Sequence, residues 1–555
     1  MNPAHDDPPA SGDKPFPVAV IEAVLAAGVQ EFVICAGARN SALIVVLAAL
    51  GDNVRLWQHF DERAAGFFAI GRIRATERPV AVVTTSGTAA AELLPAVIEA
   101  HYQGLPLVAL TADRPKHYRG SGAPQAIEQP GLFASYADLS DICRSSQLER
   151  HLKNWDSKWR WLEPLHVNVC LEEPDTDSLL RLREEGRKMK ANLLQGVEVL
   201  LEVQRFVRRF QSDCPFSAPD PKVAANRVIM LGDMPTSESI MEVYRAGTGQ
   251  GMIYAEAASG LRDHATLGPR LVRCGDATLR HLPVREVWRM GCVPSVRYWR
   301  DLEQLEEVVV HTVSMKCYTG LARVKKTVRQ EGGLPPLESP VPATDYLARD
   351  AALYARLGEL LTRFPNSEPA LFRRLSQVIP RDATVLTGNS LAIREWNLCA
   401  EYGRGHRVHV LRGANGIDGN LSAFLGVAAD APEAWCVTGD LTALYDLNAP
   451  WMLRQLSAGR RRFVVIQNAG GKIFSRLPAL RGLTERERAF MENPHDISLR
   501  GWAEMWCMEH ASGGAEVLER AASLADHAVI ELYPDAAETE EFWNAWAAAE
   551  TEIWS

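Results

Sequence analysis

The chain has 555 residues, of which 47% are hydrophobic and 23% charged, and its 60 basic and 69 acidic side chains leave a net charge of -9. That length exceeds what one core can organise and predicts two to four domains of ordinary globular composition. The acidic balance excludes a general electrostatic footprint for nucleic acid or an anionic membrane, so any anionic small molecule must be held by local arginines.

The opening stretch MNPAHDDPPASGDKP is polar and proline-rich. It predicts a disordered N-terminus over 1–15, not a signal peptide. From Pro17 helix and strand alternate. AVIEAVLAAGV, SALIVVLAAL, ERAAGFFAIGRIRA and AAELLPAVIEAHYQ predict helices; EFVICAG, VRLWQHF, PVAVVTTS and PLVALTAD predict the strands between and after them. Apolar strands alternating with amphipathic helices predict a parallel sheet covered on both faces, here over 16–185.

A second α/β unit is expected over 200–330, with RVIMLGDM as a strand and VREVWRMG and EVVVHTV as helix or strand pieces. The proline-rich GGLPPLESPVPATD reads as a linker, placed at 331–348. Over 349–555 the alternation returns, with TVLTGNS, RVHVLRG, AWCVTGD, RFVVIQNAGG and HAVIELY as strands. The predicted fold class is therefore α/β, with three α/β domains built on mainly parallel sheets. The ten cysteines contain no C-x-x-C pair and read as small buried apolar side chains in a reducing compartment. No apolar run is long enough to span a bilayer, and the expected location is cytoplasmic.

In open parallel sheets ligands sit at the carboxyl ends of the strands. The unusual polar residues fall there: Arg39, Glu62, Ser86-Gly87-Thr88, Asp113-Arg114, Ser390, Arg412, Asp440 and Asn468. Asp440 and Asn468 offer hard oxygen ligands of the kind Mg²⁺ prefers, and Gly470 is free to turn its carbonyl toward an ion. A plainer reading makes Asp440 a helix cap and NAGG an ordinary loop. Likewise Asp61 suits a helix N-cap, with Glu62 favoured by the helix dipole. The run Arg460–Arg462 reads as a solvated turn.

The order GD, helix, buried strand, N-x-G resembles the thiamine diphosphate motif. In that motif Asp440, Asn468 and the Gly470 carbonyl hold Mg²⁺ (or Mn²⁺) against the cofactor's diphosphate, and a glutamate from another α/β domain hydrogen-bonds the aminopyrimidine ring. Glu62 in HFDERAAGFFAIG matches that glutamate. More narrowly, FVICAGARNSALI, HFDERAAGFFAIG, TTSGTAAAELLPAVIEA, TADRPKHYRGSGAPQAIEQPGLF, GNSLAIREWN, RGANGIDGNLSAFLG, GDLTALYDLNA and NAGGKIFSRLP resemble the 2-succinyl-5-enolpyruvyl-6-hydroxy-3-cyclohexene-1-carboxylate synthase family of menaquinone biosynthesis. The resemblance spans nearly all of the first and third domains and is thin between about 180 and 345.

This resemblance implies decarboxylation of 2-oxoglutarate and conjugate addition of the succinyl carbanion to isochorismate. Both substrates are dicarboxylates, which suits an arginine-rich site. By motif, Glu62, Ser390, Arg394 and Arg412 are the catalytic candidates. Arg39, Arg114, Gln125, Arg297, Ile473 and Phe474 are the substrate-binding ones. Glu62, Ser390, Leu391, Gly416, Ile417, Gly439, Asp440, Leu441, Thr442 and Asn468 are expected to contact thiamine diphosphate. Single arginines of this set also suit surface salt bridges, and the apolar residues suit plain core packing. A homodimer or dimer of dimers is implied, with the cofactor shared between the first domain of one subunit and the third domain of its partner. The chain departs from the family pattern at Ala36 and Ala38, which replace a proline and a hydroxyl, at Asn415, and at Gln467, where another Asn is usual. Two alternatives stay open: another thiamine diphosphate carboligase or decarboxylase, and a non-catalytic cofactor-binding relative.

Overall fold

Runs of Val, Ile and Leu buried on both faces call for strands with helices packed on either side, and the structure meets that demand three times. The computed structural model describes residues 14–158, 162–195, 227–234, 251–265, 267–313, 318–323, 327–330, 344–480 and 482–555. The expected disordered segment 1–15 and linker 331–348 lie largely outside these residues; a helix begins at Thr344. The chain divides into two compact units, the first ending at Arg209 and the second running from Phe210 to Ser555, with Tyr102–Gly104 grouped with the second.

The first unit holds β1 (Glu31–Cys35), β2 (Arg55–His59), β3 (Val80–Thr84), β4 (Leu107–Asp113), β5 (Asp138–Ile142) and β6 (Leu165–Cys170). They form one sheet in the order β2-β1-β3-β4-β6-β5. All its pairings are parallel, as in Val33 against both Trp57 and Val82. The chain leaves β1 toward β2 on one side and returns through β3 on the other. The loops after β1 and β3 therefore face each other across a crevice, the place where such sheets bind ligands. Gly37 lies at this crossing. A Cβ there would come within 2.5 Å of the Thr85 Cβ, so only glycine lets the two loops approach.

The second unit carries two parallel sheets. One joins β7 (Arg227–Leu231), β8 (Met252–Ala255), β9 (Glu286–Met290), β10 (Val309–Val313) and β11 (Thr327–Gln330) in the order β11-β10-β9-β7-β8. The other joins β12 (Thr384–Thr387), β13 (Arg407–His409), β14 (Glu433–Gly439), β15 (Arg460–Ile466), β16 (Glu509–Gly513) and β17 (His527–Leu532) in the order β13-β12-β14-β15-β17-β16. The core of this last sheet packs Val385, Trp435, Val437, Val464 and Ile530 against Leu357, Leu371 and Phe542 of its covering helices. Its chain reversal falls between β12 and β14.

VREVWRMG and EVVVHTV, left open between helix and strand by the sequence, are both strands, β9 and β10. Other sequence expectations need correction. AAELLPAVIEAHYQ divides into Thr88–Ala91 and Leu94–Gln103. The first domain boundary at 185 falls inside a helix that continues to Gln195. The run Arg460–Arg462 is no solvated turn. It opens β15, and Arg461 and Arg462 are 0% exposed. At this end of an inner strand the guanidinia cap loop carbonyls: Arg461 donates to Ser457 O at 3.2 Å, and Arg462 to Leu524 O and Asp526 O at 3.0 and 3.1 Å. The cysteines are not uniformly buried apolar groups either. Cys143 and Cys170 are joined as a disulfide, because the register of β5 and β6 sets Ile142 beside Val169 and so brings the next residues of both strands together. Cys507 is exposed. No helix among the described residues is long and apolar enough to cross a membrane.

Candidate active site

The two units each contribute a cluster of polar residues at strand ends. In the first, Asp61 caps the helix Glu62–Thr76 by accepting from Ala64 N at 2.9 Å, and this fixes Glu62 as the helix's opening residue. His59, buried at the end of β2, accepts from Asp61 N at 3.0 Å and braces the same turn. Burial holds the His59 imidazole down to about 4. Burial raises the Glu62 carboxyl above the usual glutamate range; its own backbone amide opposes this, and Asp61 adds to it. A half-buried carboxyl with raised proton affinity is suited to proton transfer near neutral pH.

Across the crevice, Asn40 is fully buried and stitches the AGARN loop to the sheet. It accepts from Gly37 N at 2.8 Å and donates to Cys35 O at 2.9 Å. Ser41 Oγ donates to Ala38 O at 2.7 Å, so a hydroxyl one turn later steadies the position that has lost its own. Arg39 is buried, donates to Leu171 O at 3.2 Å and lies 3.6 Å from Glu173. The Thr85 and Ser86 hydroxyls are buried without a hydrogen-bond partner, a cost of roughly 1–3 kcal/mol each that a bound polar group would relieve. Gln125 adopts a left-handed backbone (φ 58°) and lies against Gly87, where a Cβ would meet it at 3.3 Å. Arg114 stands over the Tyr118 ring at 5.2 Å. Gln129, which the sequence did not single out, is 0% exposed. It accepts from Gly87 N at 3.0 Å and donates to Ala112 O at 3.0 Å, joining the β3 and β4 ends.

In the second unit the expected residues gather around the reversal between β12 and β14. Asp440, 2% exposed, opens the helix that follows β14, with Gly439 as its extended N-cap residue. One carboxylate oxygen accepts from Leu441 N at 2.7 Å and the other from Gly470 N at 2.9 Å. His495 lies 3.4 Å from the second oxygen, and Thr442 is buried beside them. Asn468 follows β15, the next strand. Its amide nitrogen donates to both oxygens of Glu368 at 3.1 Å, while its buried Oδ1 has no partner. Gly470 (φ 120°) touches the Glu492 carbonyl so closely that a Cβ would lie 2.4 Å from it. Its own carbonyl accepts from Lys472 N.

Ser390 holds a rare positive φ of 67° at the start of the helix Leu391–Cys399. Such strain in a non-glycine residue costs on the order of 1–3 kcal/mol and concentrates at functional sites. Arg394 sits one turn inside that helix, not at a strand end, and donates to Ser390 O at 2.6 Å. Its side chain is partly open to solvent, but packing around the guanidinium and the like charge of Arg412 lower its proton affinity. Arg412 is buried and makes only long contacts, to Asn389 Oδ1 at 3.3 Å and Val293 O at 3.4 Å. No carboxylate lies within ion-pair distance of it among the described residues. Asn389, another residue the sequence reading passed over, also donates to Leu411 O and Gly416 O at 2.7 Å. It thereby fixes the loop bearing Gly416 and half-buried Ile417 beside Ser390. Ile473 and Phe474 are half-buried beyond Gly470. Arg297 stands apart: it is exposed, with its amide on Asp276 at 2.9 Å and its side chain 3.5 Å from Asp301.

The donor set suits a hard divalent cation. Asp440 retains acceptor capacity beyond its two amide donors, and an amide oxygen is buried unpaired one strand away. Two adjoining strand ends thus present oxygens, and buried Arg412 forms no ion pair among the described residues, with Glu256 within its electrostatic reach.

The chain is similar to known proteins along most of its length. A thiamine pyrophosphate enzyme, N-terminal TPP binding domain, matches residues 18–132. The 2-succinyl-5-enolpyruvyl-6-hydroxy-3-cyclohexene-1-carboxylate synthase of Bdellovibrio bacteriovorus is 37% identical over 543 residues, spanning 95% of this chain and 97% of that protein. The synthase of the same name from Akkermansia muciniphila is 38% identical over 546 residues, spanning 95% and 98%. The chain belongs to the 2-succinyl-5-enolpyruvyl-6-hydroxy-3-cyclohexene-1-carboxylate synthase family. It is a thiamine diphosphate-dependent enzyme of the C–C bond-forming class. A third synthase of this family, from a Synechococcus strain, is 32% identical over 510 residues, spanning 85% of each chain. Family membership extends through the central region, where the sequence motifs were thin.

Proposed function

We propose that this protein decarboxylates 2-oxoglutarate and joins the remaining four-carbon fragment to isochorismate, giving 2-succinyl-5-enolpyruvyl-6-hydroxy-3-cyclohexene-1-carboxylate. The observation that carries the proposal is the oxygen set Asp440–Asn468, with buried Arg412 held only by long hydrogen bonds at a nearby strand end, in a chain that matches synthases of that name over 95% of its length. Thiamine diphosphate, when bound, supplies the nucleophilic carbon that releases CO₂ from the oxo acid and carries the fragment to its acceptor.

The chain's own residues do the rest. Asp440, the Asn468 Oδ1 and the Gly470 carbonyl hold Mg²⁺, with Mn²⁺ as a substitute, against the diphosphate. Gly439, Leu441 and Thr442 line the same turn. Leu391, Gly416 and Ile417 bear on the cofactor's middle. Glu62 moves a proton at its carboxyl to and from the aminopyrimidine. Ser390 and Arg394 orient the carboxylate of 2-oxoglutarate. Arg412, Arg39, Arg114 and Gln125 receive the carboxylates of isochorismate, with Ile473 and Phe474 as an apolar wall and Arg297 as an outer charge. The working unit is a homodimer or a dimer of dimers, acting in the cytoplasm on small molecules and not on nucleic acid.

The deciding experiment measures CO₂ release from 2-oxoglutarate with thiamine diphosphate and Mg²⁺, with and without isochorismate. Release should be slow alone and accelerate with isochorismate, with the coupled product detected by mass spectrometry. Release from pyruvate but not from 2-oxoglutarate would reject the substrate assignment.

A further inference from the structure

We infer that Glu368, a residue no sequence motif singled out, is the positioning residue that aims Asn468 at the metal. This rests on the reading of Asn468 as a Mg²⁺ ligand. Glu368 lies 100 positions upstream and is 4% exposed. It opens the helix Glu368–Val378 behind the Ser367 cap, and Pro369 follows it within the first turn. Its backbone amide is tied to Thr539 Oγ1 at 2.9 Å, so its carboxylate stands on a fixed base.

Both carboxylate oxygens receive the Asn468 amide nitrogen, each at 3.1 Å. This contact makes a chemical choice. The end of an asparagine amide is nearly two-fold in shape, so packing alone does not decide which of its ends faces which way. Both Glu368 oxygens stand as acceptors toward the same amide nitrogen, so the contact selects the NH₂ end. Oδ1 is thereby forced to the opposite side, where it is buried without a partner. An unpaired buried amide oxygen is unfavourable unless something takes it, and a hard cation is what an amide oxygen takes. If the amide turned over, Oδ1 would face the two carboxylate oxygens and an NH₂ group would face the cation, so both contacts would be lost together. Partners of metal ligands that act in this way typically govern metal affinity by 10- to 100-fold.

A second buried acid separates this role from a general effect of any acidic side chain close by. Glu395, on the helix Leu391–Cys399, is 2% exposed, and neither of its carboxylate oxygens has a hydrogen-bond partner. It lies within electrostatic reach of Glu368 but makes no side-chain hydrogen bond to Asn468 among the described residues.

The test uses the full-length enzyme and reads metal binding, not turnover. Mn²⁺ occupancy is followed by electron paramagnetic resonance, and the Mg²⁺ dependence of thiamine diphosphate binding by calorimetry. Glu368→Met, which fills the space without an acceptor, should raise the metal concentration needed by about 10- to 100-fold. Glu368→Gln removes the charge but keeps an acceptor oxygen and should stay within about threefold of wild type. Glu395→Gln should leave metal binding unchanged. A reciprocal exchange guards against a misfolded Met variant. Asn468→Asp alone sets two carboxylates face to face and should weaken metal binding, whereas adding Glu368→Gln supplies a donor and should recover most of it. Equal losses in the Gln and Met variants, no loss in a folded Met variant, or no recovery in the double variant overturns the inference. If the wild type itself shows no metal-dependent cofactor binding, it is the reading of Asn468 as a metal ligand that fails.

Discussion

Glu62 illustrates how one carboxyl can serve two demands. Its place at a helix N-terminus favours the charged form, while burial favours the neutral one, and burial prevails. Glu62→Gln keeps the shape and removes the proton exchange. CO₂ release should fall by at least about 100-fold, the usual weight of a general acid–base group, with cofactor affinity retained in calorimetry. Asp440→Ala should do the reverse. The Gly470 amide loses its acceptor and the cation its carboxylate, so Mg²⁺-dependent cofactor retention should vanish. Unchanged thiamine diphosphate affinity in that variant would reject the metal assignment. Arg394 and Arg412 are the discriminating pair for substrates. Arg394→Ala should weaken use of 2-oxoglutarate by roughly 2–5 kcal/mol in kcat/KM while sparing cofactor binding. Kinetics unaltered in 2-oxoglutarate would show that Arg394 reads another group.

At the scale of elements, the strand ends are held by buried polar residues whose protonation matters. His59 closes β2 and His166 lies in β6, where it pairs with Thr111 at 2.8 Å. Burial lowers both from 6.5 to about 4. The unfolded chain therefore takes up protons below pH 6.5 that the folded unit refuses until about pH 4. Stability is fully present above 6.5 and falls as pH drops through this window, by at most about 3 kcal/mol for each histidine. Hydrogen exchange of β2 and β6 amides should accelerate accordingly, and His166→Gln, which keeps a polar partner for Thr111, should flatten part of the slope. An unchanged slope in that variant would reject the assignment. The same elements explain what the sequence could and could not disclose. β1, β3, β4, β14 and β15 carry apolar runs and were legible, as were the positions of Asp440 after β14 and of Glu62 at the head of the helix after β2. RVHVLRG was legible too and is β13, whereas β11 and β16 are short or polar, with no period-2 signal to read. Arg461 and Arg462 looked solvated because three charges in a row usually are; Arg461 caps the nearby Ser457 carbonyl, and Arg462 caps carbonyls supplied some sixty residues later, which no local pattern carries. Asn389, Gln129 and Glu368 escaped for the same reason: each is defined by its contacts across the fold, not by a motif.

At the scale of the whole molecule, the chemistry we propose needs Glu62 from the first unit and Asp440 with Asn468 from the second, and two units of one chain need not be the ones that cooperate. If the site is shared between subunits, as family membership leads us to propose, Glu62 of one chain works with Asp440 and Asn468 of its partner. A monomer then holds no complete site, and catalysis depends on the dimer. Complementation separates this arrangement from one in which each chain is self-sufficient. Glu62→Gln and Asp440→Ala enzymes are each inactive, and equal amounts are mixed under conditions that exchange subunits. In a mixed dimer of the shared kind, one site collects both defects and the other collects neither. Random exchange makes half the dimers mixed, each with one intact site of two, so activity should return to about a quarter of wild type. In a self-sufficient arrangement every site keeps one defect, and no exchange restores activity. Native mass spectrometry establishes that mixed dimers have formed. Mixed dimers without recovered CO₂ release would show that each chain completes its own site and would overturn the shared one.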